Sequence, residues 1–175
     1  VMHGLGWPLT ETGSTGGWWL YFDENNQVSF GLVADLSYHN PYMSPFDEMQ
    51  RLKTHPVIKN VLEGGKRISY GARALTKGGL NSLPKFTFPG GVLVGDDAGF
   101  LNFAKIKGSH TAMKSGMLCG EAVFEAIKAG RANDEVTEYT DKFKNSWLYE
   151  ELHASRSFGA AMHRMGTLMG GGYNW

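Results

Sequence analysis

The residues best placed to do chemistry lie in one stretch, Val92-Leu93-Val94-Gly95-Asp96-Asp97-Ala98-Gly99-Phe100, followed by Lys107-Gly108-Ser109. A short apolar run ends in Gly-Asp, a loop follows, and a helix then begins. An acid at the carboxyl end of a strand can accept hydrogen bonds from sugar-like hydroxyls. The amides at the start of the following helix favour negative charge. The block therefore reads as a place for a ligand carrying both hydroxyls and negative charge. The alternative for Asp96 is an acid that only caps its own loop.

Glycines come second. There are 24, in pairs and triplets such as Gly16-Gly17, Gly64-Gly65, Gly78-Gly79, Gly90-Gly91 and Gly170-Gly171-Gly172, about twice the ordinary usage of ~7%. Each pair either ends an element or lets a flat ligand approach the backbone. Other chemistries find no support. The six histidines show no metal-ligand spacing, and His110 reads as a hydrogen-bonded histidine at a helix start. A single cysteine, Cys119, excludes a disulfide framework, a cysteine zinc site and an iron–sulfur cluster held by this chain alone. No Ser–His–Asp set or paired carboxylates point to hydrolysis or proton abstraction.

These residues need elements to position them. Residues 17–23 and 27–34 read as two strands of a hairpin around Glu24-Asn25-Asn26. Ser44-Pro45-Phe46-Asp47 starts a helix to about Lys53, and Thr54-His55-Pro56 starts a second, stopped by Gly64. Residues 66–75 read as a strand, and 91–95 as a buried strand covered on both faces. A helix over 109–129 carries Ala112, Gly116 and Gly120 on one face. That face is expected to lie close to a sheet, with Met113, Met117, Phe124 and Ile127 widening its apolar stripe. Asn133 or Asp134 opens a long helix to about Arg156, and residues 158–175 form an apolar tail. Trp18 and Trp19 cannot share one core, because strand side chains alternate, so one should face a second apolar environment.

Composition bounds the class. The chain has 175 residues, with 17 basic and 17 acidic side chains, so its formal charge is zero. Duplex nucleic acid as a chain-wide partner is not expected, because binding it needs clustered basic residues. There is no run of about 18 apolar residues, and the opening residues are not expected to be a signal peptide. Both termini look cut, which suggests an internal stretch of a longer protein.

Several ungapped blocks carry a family resemblance. They are Gly4-Leu5-Gly6-Trp7-Pro8-Leu9, Gly16-Gly17, residues 38–46, residues 62–75, residues 105–117 and Lys144-Asn145-Ser146-Trp147. In these the chain resembles the electron-transfer flavoprotein–ubiquinone oxidoreductases. The resemblance implies an α/β fold, a portion of the FAD/NAD(P)-binding type with an inserted mixed β-sheet quinone-binding domain. It also implies FAD, a [4Fe-4S] cluster, electron-transfer flavoprotein and ubiquinone as partners, and a peripheral position on the mitochondrial inner or bacterial cytoplasmic membrane. Residues 1–88 would be the quinone-binding portion, 89–131 the second FAD motif and helix, and 132–175 a helical segment leading to the cluster domain. Carried over by position, Gly16 and Gly17 are implied at the quinone, where only glycine leaves space for a flat ring. Gly95, Asp96, Asn102, Lys107, Gly108, Ser109 and Thr111 are implied at FAD. A reduced flavin carries negative charge near N1 and O2, which a helix start would favour. Lys107 is alternatively a solvated charge. The family's Gly-x-Gly-x-x-Gly turn and its cluster cysteines are absent, so tight FAD binding by this chain alone is not expected. A geranylgeranyl-reductase-like flavoenzyme and a non-catalytic membrane-surface module are the alternatives.

Overall fold

The computed structural model describes residues 1–173, and at 167 and 168 the backbone only. It divides into two compact units, Val1–Tyr70 and Gly71–Trp175. Each combines helices with one small antiparallel sheet.

The first unit is a three-stranded sheet of β1 (Met2–Leu5), β2 (Gly16–Phe22) and β3 (Val28–Ala34), with α1 (Pro45–Leu52) and α2 (Pro56–Leu62). The β2–β3 hairpin closes through Asn25 and Asn26, both at positive φ, which suits the right-handed twist of the strands. α1 starts as its sequence requires: Ser44 Oγ accepts the Asp47 N–H at 3.3 Å and Pro45 holds the first position. Leu9, Leu20, Met43, Leu52 and Ile58 form the core. β1 has no signal of its own and becomes a strand only by pairing, Leu5 opposite Gly17 and Gly4 opposite Trp18. The two tryptophans do face opposite ways. Trp18 lies over Gly4, on the side of buried Leu20, and Trp19 lies over Gly31, 5.2 Å from the Tyr21 ring. The second environment of Trp19 is thus the sheet's own outer face. The sheet is wholly antiparallel, not mixed.

The expected strand over 66–75 is not formed. Among the described residues nothing pairs with it, and Ile68, Tyr70 and Leu75 are exposed. An extended segment is a strand only when another backbone takes up its amides and carbonyls.

The second unit holds β4 (Thr87–Phe88), β5 (Gly91–Val92), α3 (Ser109–Lys128), α4 (Glu138–Lys144), α5 (Trp147–Ala154) and α6 (Phe158–Tyr173). The strand expected over 91–95 is two residues long. It pairs antiparallel with β4 and is half-buried, with Val94 36% exposed. Pro89-Gly90 turns the chain back before a longer strand can form, with Gly90 at φ 77°. The long helix expected to Arg156 is two helices. Ser146, at φ −111° and ψ 157°, breaks it. Phe86, Phe100, Tyr139, Phe143, Leu148 and Leu152 make the core, and the Phe86 and Phe100 rings stack at 5.1 Å. Burying each large side chain contributes about 1.5–3 kcal/mol.

α3 runs as expected and ends before Gly130, at φ 75°. Its buried stripe is Thr111, Ser115, Leu118, Ala122 and Ala126, which faces the core that α4 and α5 supply. The other stripe departs from expectation. Met113, Met117, Phe124 and Ile127 are exposed, and a Cβ at Gly116 or Gly120 would meet open space. α6 breaks at Gly166, at φ 70° and ψ −177°. Asn174 and Trp175 of the expected tail lie outside the described residues. Among the described residues no helix is long and apolar enough to cross a membrane.

Candidate functional site

The strand–loop–helix block is brought together in the second unit. Gly95 has φ 63°, a conformation that penalises any Cβ, and opens a single 3-10 turn, Gly95–Ala98, at the end of β5. Its N–H donates to Ser115 Oγ at 2.8 Å, and Ser115 in turn donates to Ala112 O at 2.7 Å. This pins the Gly-Asp turn to the second turn of α3. The Asp96 carboxylate is exposed, and no hydrogen bond or ion pair of the described residues uses it. At the start of α3 the first helical bond runs from Ala112 N–H to Gly108 O at 2.8 Å. The Ser109, His110 and Thr111 amides precede it, and no side chain caps them. An unused acceptor and unused donors thus sit on two packed elements.

The predicted residues divide by exposure. Lys107 and Ser109 are exposed and able to meet a ligand. Gly108 is half-buried, and a Cβ there would come within 3.0 Å of Leu101 Cδ1. Thr111 is fully buried and donates to Gly108 O at 2.8 Å. Asn102 is 1% exposed. Its Oδ1 accepts the Lys105 N–H at 3.2 Å, its Nδ2 donates to Glu151 at 2.8 Å, and its backbone pairs both ways with Lys107. Asn102 and Thr111 therefore shape the loop that Lys107 and Ser109 present.

Sequence reasoning missed Glu151, whose position 49 residues beyond Asn102 gives no local signal. Its carboxylate takes Asn102 Nδ2 (2.8 Å), His110 Nε2 (2.7 Å) and Lys105 Nζ (3.3 Å). Burial pushes this carboxyl up, but the bonds from His110, Asn102 and Lys105 outweigh it and hold it down at about 2. His110 is the hydrogen-bonded histidine expected, and it also stacks on Trp147 at 6.1 Å.

Gly16 and Gly17 lie in the first unit. A Cβ on Gly16 would stand 2.0 Å from Val33 O, and one on Gly17 would stand 2.4 Å from Gly4 O. Both glycines are therefore required by the pairing of β2 with its neighbours, whatever else they do.

The donor set fits FAD in part: a free carboxylate for hydroxyls, and uncapped helix amides with exposed Lys107 and Ser109 for negative charge. It does not fit an iron–sulfur cluster. Cys119 is the one cysteine, and no group of metal-binding side chains occurs among the described residues.

Residues 1–75 match the family described as "ETF-QO, ubiquinone-binding". Over its whole length the chain is 68% identical to a protein of Acinetobacter baylyi, the "Probable electron transfer flavoprotein-ubiquinone oxidoreductase", covering 34% of it. It is 63% identical to the "Electron transfer flavoprotein-ubiquinone oxidoreductase" of Pseudomonas aeruginosa, covering 32%. Over 98% of the chain it is 51% identical to the mitochondrial protein of that name from Rattus norvegicus, covering 29%. The chain spans about a third of the length of these relatives.

Proposed function

Because the chain belongs to the electron transfer flavoprotein–ubiquinone oxidoreductase family, we propose that it forms the quinone-binding part and the second FAD-contacting block of such an enzyme. The enzyme would accept electrons from reduced electron-transfer flavoprotein and pass them through FAD and a [4Fe-4S] cluster to ubiquinone, at the surface of the bacterial cytoplasmic or mitochondrial inner membrane. The observation that carries this reading is the identity of 68% and 63% running through the whole chain, across both units.

Bound FAD would supply the one- and two-electron chemistry; the chain's residues bind and orient. Asp96 accepts hydrogen bonds from ribityl hydroxyls. The Ser109, His110 and Thr111 amides lie at the positive end of a 20-residue helix and favour negative charge placed before them. Lys107, exposed just before the helix start, adds a cation. In the first unit, Gly16 and Gly17 stand at the quinone by family position only, since the space their missing Cβ atoms leave is taken by Val33 O and Gly4 O. The ligands of the cluster are not among these 175 residues.

The test uses a polypeptide of family length carrying this chain. Asp96→Ala removes a charge-assisted acceptor of about 1.5–3 kcal/mol, so FAD should dissociate about 10- to 100-fold more readily. A wild-type dissociation constant would show that FAD retention does not depend on the Asp96 carboxylate.

A further inference from the structure

The turn from Asn102 to Lys107 carries a local conflict. Ile106 has φ 54° and is 59% exposed. Left-handed backbone is costly for a β-branched residue, and no buried side-chain packing compensates here. Such a conformation persists only where the surroundings over-determine it. The surroundings here are a chain of polar contacts ending on one carboxylate. The Asn102–Lys107 backbone pair closes the turn at 3.1 and 3.2 Å, and the Ile106 N–H donates to Phe103 O at 3.1 Å. Asn102 Oδ1 holds the Lys105 amide inside it. Glu151, from α5, then takes the Asn102 side chain, the Lys105 ammonium and the His110 ring. Those three partners bracket Ile106, Lys107, Gly108 and Ser109.

We propose that Glu151 is a positioning residue of the flavin site: it clamps the strained 102–107 turn to the first turn of α3 and so sets where Lys107, Ser109 and the α3 amides stand. The inference rests on the reading that this block meets FAD. Glu151 itself is 19% exposed in its side chain, and its partners are Asn102 and Lys105 of the turn and His110 of α3, so it acts through them. Without the carboxylate, Ile106 is free to relax to negative φ, and the relaxation moves its neighbour Lys107 and the helix start beyond it.

The experiment uses the FAD-loaded polypeptide of family length. Glu151→Gln keeps the shape and removes the charge. The visible flavin spectrum and midpoint potential should shift, FAD should dissociate about 10-fold faster, and the thermal midpoint should fall by no more than the loss of one carboxylate's contacts explains. Adding Ile106→Gly, which needs no clamp to hold a left-handed turn, should restore the wild-type spectrum and most of the affinity. If Glu151→Gln leaves spectrum, potential and dissociation unchanged, the inference is overturned. It is also overturned if FAD is lost together with thermal stability and Ile106→Gly rescues neither, because Glu151 is then only a contact of the fold. If the unsubstituted polypeptide binds no flavin, the functional reading itself fails, an outcome distinct from both.

Discussion

Two glycine motifs make the same sequence impression and do different physical work. Gly16-Gly17 opens β2, where the missing Cβ atoms make room for the neighbouring strands: each would overlap a carbonyl oxygen, of Val33 or of Gly4. At Gly95 there is no such crowding, since a Cβ would stand 3.5 Å from Ala112 Cβ, an ordinary contact. What requires glycine there is φ 63°, the bend that leaves Asp96 unpaired beside α3. The first motif uses its backbone up in the sheet, and the second leaves groups unused. A pair of glycines therefore says that the backbone is special, while only the surrounding atoms say whether it is special for packing or for a ligand.

The sharpest way to break this contrast is Gly17→Val. With backbone 2.4 Å from the new Cβ, the β1–β2 pairing cannot survive, and the expected loss is about 3 kcal/mol or more. Urea unfolding of the isolated chain measures it. A variant that kept wild-type stability would show that the strands can part at Gly17, and would return the double glycine to a purely ligand-related role.

Acid tests the second region. The Glu151 carboxyl is held at about 2, below its ordinary 4.5. A depressed folded-state value gives stability that is complete above the ordinary value and is lost as pH falls towards 2. The stabilisation, about 1–3 kcal/mol, should fade from about pH 5 downward. The thermal midpoint against pH should fall less steeply in Glu151→Gln over that window. Equal slopes would mean that the three bonds to Glu151 do not outweigh its burial.

The smallest effect belongs to Ile106→Asn. Asparagine tolerates the left-handed region, and the side chain removed is mostly exposed, so a gain of about 1 kcal/mol is expected. Denaturant midpoints decide it, and a loss would show that Ile106 packs against something that offsets its strain.

Local signals read well where a few neighbouring residues decide the conformation. Asn25-Asn26 announced a tight hairpin, Ser44-Pro45 a capped helix start, and Gly130 a helix end; each appears. The reading failed where a distant partner decides. β1 exists because β2 lies beside it, and residues 66–75 are not a strand because no described residue pairs with them. The 133–156 pattern continues through Ser146, but tertiary packing seats Leu148 and Leu152 in the core from a separate helix. On α3 two apolar stripes compete, and periodicity cannot tell which one the chain's own helices will cover.

The candidate site shows the same division. From the sequence by itself came the order strand, Gly-Asp, loop, helix start, because a chain that must turn at Gly95 and begin a helix near Ser109 leaves an acid and free amides along the way. The family resemblance came largely from other blocks and overlaps this one at residues 105–117. Only the tertiary structure decided which of those groups stay free. Asn102 and Thr111 are consumed by internal hydrogen bonds while Asp96 is not, because burial demands partners for polar atoms and exposure does not. Glu151 joins the block for a reason no local pattern encodes: a carboxylate on α5 is the group that Asn102 and Lys105 of the turn and His110 of α3 can all reach.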